Sequence, residues 1–200
     1  TRTTPERADF TEFLPIAVSF ELLHQPRVLI VEPGGGLDIL TALHHGAAGV
    51  TTLVGNPLET ELLTGKFSND VEGLFADSRV RVVVGNPRAY LNRSSDQFDL
   101  VVISLRNAFR PISAGAYSLS ESHLYSREAF REYLRHVAPG GYLIATRWIQ
   151  TPPSEDMRLV ATVVEALEQP DTGKPASRLG VLRTLQTMTV IAKREPFTSS

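Results

Sequence analysis

Hydrophobic residues fall along this chain in short unbroken runs, and segments with helical spacing lie between them. The runs predict strands at Arg27–Val31, Val50–Val54, Val80–Val84, Leu100–Ser104 and Gly141–Ala145. Their cores are continuous and branched (VLIV, VVV, LVVI, YLI) rather than alternating with polar residues, the pattern of strands covered by helices on both faces. Between them, Leu37–His45 puts Ile39, Leu40 and Leu43 on one stripe. Arg127–Val137 spaces Phe130, Tyr133, Leu134 and Val137 at i, i+3, i+4 and i+7, with Ser126 at the N-cap position. Glu155–Leu167 carries Met157, Val160, Val164 and Leu167 and is opened by Ser154, with Glu155 and Asp156 at the positive end of the helix dipole. Strands alternating with helices at this spacing predict a parallel sheet wound with right-handed crossovers.

The end of the chain breaks that rhythm. Ser177–Leu185 and Thr187–Arg194 are β-rich runs separated by Gln186, so they predict an antiparallel hairpin closing the sheet. Gln169–Ala176, with two prolines and a glycine, reads as the loop before it. At the other end one helix is expected around Phe10–Leu23, with Pro15 in its first turns. The expected organisation is an N-terminal helical extension over 1–26 and a single domain over 27–200.

Composition narrows the function classes. At 200 residues, 42% hydrophobic and 21% charged, the chain suits one sizeable domain. A net charge of −2 argues against a nucleic-acid binder. With no cysteine there can be no disulfide, thiolate metal site or cysteine nucleophile. No apolar run reaches the ~18–20 residues of a membrane span. The expected location is cytoplasmic, as a soluble domain or as part of a longer or membrane-attached protein. No metal is expected, and a homodimer is the assembly to test.

The sharpest local feature is Val28-Leu-Ile-Val-Glu-Pro-Gly-Gly-Gly-Leu-Asp38, a strand, a glycine turn and a helix start. Such a turn lets a ligand lie against bare backbone, with unpaired N–H groups of the helix behind it; the alternative is a tight turn with no ligand. A dinucleotide fingerprint is not met, because Ile39 stands where the third glycine belongs and the second strand ends in Val54 rather than an acid. No Lys-Ser or Lys-Thr follows the glycines, so this is not a nucleoside-triphosphate P-loop.

The run VLIVEPGGGLDILTALHHGAAGVTTLVGNP resembles the nucleoside-binding first half of spermidine synthases and related class I S-adenosylmethionine-dependent transferases. The similarity continues through VRVVVGNPRAYL, FDLVVISLRNAF, LYSREAFREYLRHVAPGGYLIATRW and the terminal hairpin, roughly Arg27 to Arg194. The triple glycine and the LYSREAF helix favour the spermidine-synthase branch, including relatives fused to membrane segments. This resemblance implies an α/β, Rossmann-like class I methyltransferase fold, with a mostly parallel seven-stranded sheet and a C-terminal antiparallel hairpin. It also implies a ligand such as S-adenosylmethionine or its decarboxylated form over the strands' C-terminal ends, and an amine as the second small-molecule partner.

Carried over residue by residue, the resemblance makes Gly34, Gly35 and Gly36 the loop that passes the ligand. Asp38 becomes the acid near the ligand's amino-acid end. Glu32 stands where the loop's first glycine usually is, and Pro33 removes a backbone donor. The acid that grips both ribose hydroxyls is Val54 here, a loss worth about ten- to a hundredfold in affinity. Asn56 replaces a further acid two residues on. Asn86 stands for the adenine-reading Asp, and its carbonyl can still accept from an amino group. Spermidine synthases also place two acids after the fourth strand to hold and deprotonate the attacking amine; here these positions are Ser104 and Asn107. An alkylammonium with a pKa near 10 is no nucleophile until a base takes its proton, so polyamine synthesis is expected to be weak or absent. The family's small N-terminal β-domain has no counterpart in the 26 residues before the first strand.

The loop after the fourth strand carries Arg106, Arg110, Tyr117, Ser118, Glu121, His123 and Tyr125. Glu121 and His123 are the candidate substitute acid and base, and Glu32, whose direction after a buried strand is left open, is the other nearby acid; the plainer reading has Tyr117, His123 and Tyr125 packing against the Ser126 helix. His44 and His45 are adjacent on a helix and point different ways, so they are no metal pair. Arg127, Arg131 and Arg135 interleave with Glu128 and Glu132 as a solvated face, and Asp99 is expected to order a turn. Two functions remain: a transferase domain of the spermidine-synthase branch, with aminopropyl or methyl transfer and an altered substrate, or a catalytically degenerate nucleoside-binding or interaction module of a longer protein.

Overall fold

A computed structural model describes residues 8–66, 73–105, 123–150, 152, 154–168 and 173–197. Its seven described strands are β1 (Arg27–Val31), β2 (Gly49–Val54), β3 (Val80–Val84), β4 (Phe98–Ile103), β5 (Val137–Trp148), β6 (Leu179–Arg183) and β7 (Thr187–Ala192). They form one sheet in the order β3-β2-β1-β4-β5-β7-β6. β1 to β5 pair in parallel, while β7 runs antiparallel to both β5 and β6. The terminal hairpin is thus part of the sheet, at one edge.

Burial on both faces explains the unbroken apolar runs. Leu29, Val31, Val101 and Ile103 face one core, packed by Phe130, Tyr133 and Leu134 of helix α5 (Arg127–Arg135) and by Leu159, Val163 and Leu167 of helix α6 (Glu155–Leu167). Their neighbours Val28, Ile30, Leu100 and Val102 face the other. There Phe20 of helix α1 (Ala17–Leu22), Ile39 and Ala42 of helix α2 (Leu37–His44), and the pair Leu74 and Phe75 cover them. Successive side chains in a strand point to opposite faces, so an apolar run without gaps is what two covered faces require.

Several local expectations need correction. The N-terminal segment is not one helix over Phe10–Leu23: a 3-10 turn spans Asp9–Phe13, and α1 starts only at Ala17. Leu14 between them is extended (φ −81°, ψ 143°), because the Pro15 ring disfavours the helical region for the residue before it. The α5 helix ends at Arg135, and Val137 already pairs with Phe98 as the start of β5. On α6 the buried stripe is Leu159, Val163, Ala166 and Leu167, while Met157 is 54% exposed. Both stripes have helical spacing, and contact with α5 chose between them. Ser126 caps α5 by accepting from the Ala129 N–H at 3.2 Å. Ser154 makes no side-chain cap; its own N–H donates to Asp156 at 3.0 Å. Asp99 orders no turn and instead accepts the Arg27 N–H at 2.8 Å, fastening the start of β1. The proposed solvated face holds at Arg127, paired with Glu128 at 3.0 Å. Arg131, however, reaches the carbonyls of Glu165 and Glu168 at the end of α6. Residues 169–172 of the expected loop lie outside the described residues.

Two helices went unpredicted, α3 (Pro57–Glu61) and α4 (Pro87–Arg93), each opened by an Asn-Pro pair. β5 is also longer than its apolar core, because a bulge between Val137 and Tyr142 carries it past Pro139 and Gly140. At this bulge a Cβ on Gly141 would stand 2.6 Å from the Asp99 carbonyl oxygen and 3.0 Å from that of Ala138. Both contacts are backbone and cannot swing away. A Gly141→Ala protein is therefore expected to lose about 2–4 kcal/mol of stability, read as a lowered urea midpoint with an unchanged m-value.

Candidate functional site

The strand order reverses beside β1: the chain leaves β1 for β2 on one side and returns to β4 on the other. In open α/β sheets the crevice at the carboxyl ends of such strands is where ligands bind. Four strand ends meet here. β1 runs into Glu32 and the glycine loop, β2 into Gly55, β3 into Gly85 and β4 into Ser104. Backbone bonds fasten them together, Glu32 N–H to Leu53 at 2.8 Å, Gly85 N–H to Val54 at 2.9 Å and Ser104 N–H to Val31 at 3.2 Å.

The glycine loop turns directly into α2. Gly36 caps the helix with φ +89°, a left-handed conformation that costs other residues, and its carbonyl accepts from Leu40 at 2.9 Å. A Cβ at Gly36 would press on the Phe75 ring at 3.3 Å, whereas one at Gly35 would meet nothing within 4 Å. Gly36 therefore serves the fold, and Gly35 borders open space.

Asp38 sits in the first turn of α2, half-buried and beside the Ser104 hydroxyl. Burial raises its pKa above the ordinary 3.8, and Ser104 opposes this to a smaller extent. The Ser104 hydroxyl is itself buried, and it closes no hydrogen bond of good geometry. A carboxyl whose folded-state pKa is raised adds most to stability below its ordinary value, and that contribution is lost as pH rises through the folded value. An Asp38→Asn protein is thus expected to be more stable than the wild type at neutral pH. The gap should close as pH falls to 3.8, which urea midpoints measured across that range would show.

Beside these residues lies a cavity of about 330 Å³, lined among the described residues by Glu32, Gly55, Asn86 and Arg88, with Pro87, His123 and Leu124. Of the sequence-predicted site residues it gathers Asn86 and His123. Gly34, Gly35, Gly36, Asp38 and Asn56 are not among its lining. Asn107 and Glu121 lie outside the described residues, as do Arg106, Arg110, Tyr117 and Ser118. Val54 is fully buried. Asn56 and Asn86 both act as helix N-caps: Asn56 Oδ1 accepts from Leu58 N–H at 3.1 Å, and Asn86 Oδ1 accepts from Arg88 and Ala89 N–H at 2.9 and 3.3 Å. Asn followed by Pro at the first helical position is a helix-start signal in its own right.

The turn His123–Tyr125 is held over the end of β4. Tyr125 donates its hydroxyl to the Ser104 carbonyl at 3.3 Å, and the buried Arg147 guanidinium stacks over the Tyr125 ring at 3.5 Å. Tyr133 reaches the same turn, donating to the Leu124 carbonyl at 3.2 Å, and burial pushes its phenol above the ordinary range. Tyr125 also packs on Phe130 with ring centroids 6.3 Å apart, so the packing role expected for Tyr125 is realised. His45 stacks on Phe20 at 5.2 Å and meets His44 edge-on.

Arg88, a lining residue the sequence reading missed, had no signal beyond its place after Asn-Pro. The structure sets the direction of Glu32, an acid in place of a glycine at the end of a buried strand. It keeps the left-handed backbone (φ +59°), is only 4% exposed, and its Oε1 accepts the Gly55 N–H at 3.0 Å.

Solved structures share this fold. A solved spermidine synthase from Thermotoga maritima superposes with a TM-score of 0.63 at 17% identity, over 95% of this chain and 61% of that one. This chain has a spermidine synthase-like, class I S-adenosylmethionine-dependent transferase fold. An O-methyltransferase family protein from Burkholderia thailandensis shares that fold with a TM-score of 0.61 at 14% identity, covering 98% of this chain and 57% of that one. In sequence, polyamine aminopropyltransferase 2 of Hyperthermus butylicus is 26% identical over 149 residues, which is 73% of this chain and 46% of the relative. The chain thus spans about half the length of the curated relative it matches. No protein-family profile matches it. Among the described residues no helix is long and apolar enough to cross a membrane, and no three His, Asp or Glu side chains gather as a metal set.

Proposed function

We propose that this chain is the nucleoside-binding part of a transferase of the spermidine-synthase type, with S-adenosylmethionine or its decarboxylated form as ligand. The observation that carries this reading is the cavity of about 330 Å³ at the carboxyl ends of β1, β2 and β3, next to a loop whose Gly35 borders open space. That volume suits a small nucleoside, and the place is where this fold class binds ligands. The nucleoside's adenine would lie toward Asn86 and its amino-acid end toward Gly34–Gly36 and Asp38. An amine is the expected acceptor for aminopropyl transfer, and another small nucleophile for methyl transfer.

A second reading has its own observation. The ends of β2 and β4 carry a buried Val54 and a buried Ser104, neither of which offers a charge to a ligand or a base to an amine. A domain that keeps its apolar strands and loses charge at the strand ends would bind a nucleoside without transferring a group from it. Calorimetric titration with S-adenosylmethionine, its decarboxylated form and methylthioadenosine tests the shared premise. Saturable binding of at least one is expected, and heats no larger than dilution for all three would overturn both readings.

A further inference from the structure

Glu32 is the one carboxylate among the described residues lining the cavity, and its setting is unusual. A side chain other than glycine at φ +59° carries roughly 1–3 kcal/mol of backbone strain. Placing a carboxylate at 4% exposure adds a desolvation cost. The geometry nonetheless holds it fast. Oε1 accepts the Gly55 N–H at 3.0 Å, so the carboxylate crosses from the end of β1 to the end of β2. Gly55 has to be a glycine for this to happen, since a Cβ there would stand 2.4 Å from that same Oε1. The two residues form a matched pair on different strands, joined at the cavity wall.

We infer that Glu32 is the hydroxyl-binding residue of this crevice and takes a vicinal diol of the ligand, the chemistry of a ribose. The inference rests on the nucleoside reading above and assigns a residue within it. A carboxylate whose position is fixed by a backbone N–H accepts two adjacent O–H donors through its in-plane lone pairs. A ligand cation suits the place less well, because the cation Arg88 is among the residues lining the same cavity. The end of β2 itself offers nothing to a hydroxyl, Val54 being apolar and buried. The charge reaches that spot from the neighbouring strand.

The test compares methylthioadenosine with its 2′-deoxy analogue in calorimetric titrations of the wild type, Glu32→Gln, Glu32→Gly and Gly55→Ala. The wild type is expected to prefer the ribose form by about ten- to a hundredfold, the worth of a hydrogen bond to a charged group. In Glu32→Gln that preference should fall to a few-fold, through weaker binding of the ribose form alone. Gly55→Ala keeps the charge but displaces Oε1, and should lose most of the preference too. Glu32→Gly relieves the left-handed strain, so it folds at least as well as the wild type and should bind both forms equally. An undiminished preference in Glu32→Gln overturns the assignment while leaving the nucleoside reading intact. So does tighter binding of both forms by Glu32→Gly, which would mean that the carboxylate fills space a ligand needs. No binding of either form to the wild type overturns the nucleoside reading itself, and the assignment with it.

Discussion

Purified protein supplied with decarboxylated S-adenosylmethionine and putrescine is expected to release methylthioadenosine at least 10²- to 10⁴-fold more slowly than an enzyme with a working base, the usual contribution of general-base assistance. An alkylammonium is protonated at neutral pH and attacks nothing until a positioned group removes its proton. At the end of β4 that group would have to be Ser104, which is neutral, buried and without a good hydrogen bond. Three residues on, the sequence has Asn107. Glu32 is engaged with Gly55 on the far side of β1 from β4, so it is poorly placed to serve. Turnover near the ordinary enzyme median of ~10 per second would overturn the expectation. If Glu121→Gln then abolished it, the base would be assigned to the segment after β4.

A Gly35→Val protein is expected to fold as the wild type does and to lose nucleoside binding by about a hundredfold or more. The substitution separates the two effects because of where Gly35 sits. Its φ lies outside the left-handed region, and a Cβ there meets nothing within 4 Å, so the folded protein has open space where the side chain starts. Only a ligand lying against the bare loop would feel the side chain, and it would meet van der Waals overlap with a backbone that cannot retreat. Gly36→Val is the contrasting control: φ +89° and the Phe75 ring at 3.3 Å make it a fold-breaking change. An unchanged melting temperature with lost binding in Gly35→Val is the expected pairing. Unchanged affinity would place the ligand elsewhere.

Most of the architecture could be read from residue patterns because both sheet faces are covered. Each of the runs VLIV and LVVI feeds two cores at once, and an unbroken apolar stretch of that length, bounded by turn residues, fits a strand covered on both faces. The reading failed where two local signals competed. Asn56-Pro57 and Asn86-Pro87 are helix-start signals, and the helices they open are the ones the apolar pattern does not predict. The α6 stripe was set one position off because Val160 and Val164 fit the helical period as well as Leu159 and Val163 do.

By itself the sequence determined the layered α/β fold, the closing hairpin and the glycine turn after the first strand. These follow from local spacing and residue chemistry, which act over a few residues. Which of the three glycines face open space, and where the Glu32 carboxylate goes, only the tertiary structure decided. Gly34, Gly35 and Gly36 are alike in sequence, and Phe75, almost forty residues away, is what distinguishes Gly36 from its neighbours. Glu32 and Gly55 lie 23 residues apart and meet only because β1 and β2 pair in parallel with Val31 opposite Leu53. A contact between strand ends depends on the register of the sheet, and register is a property of the whole packed domain rather than of either segment.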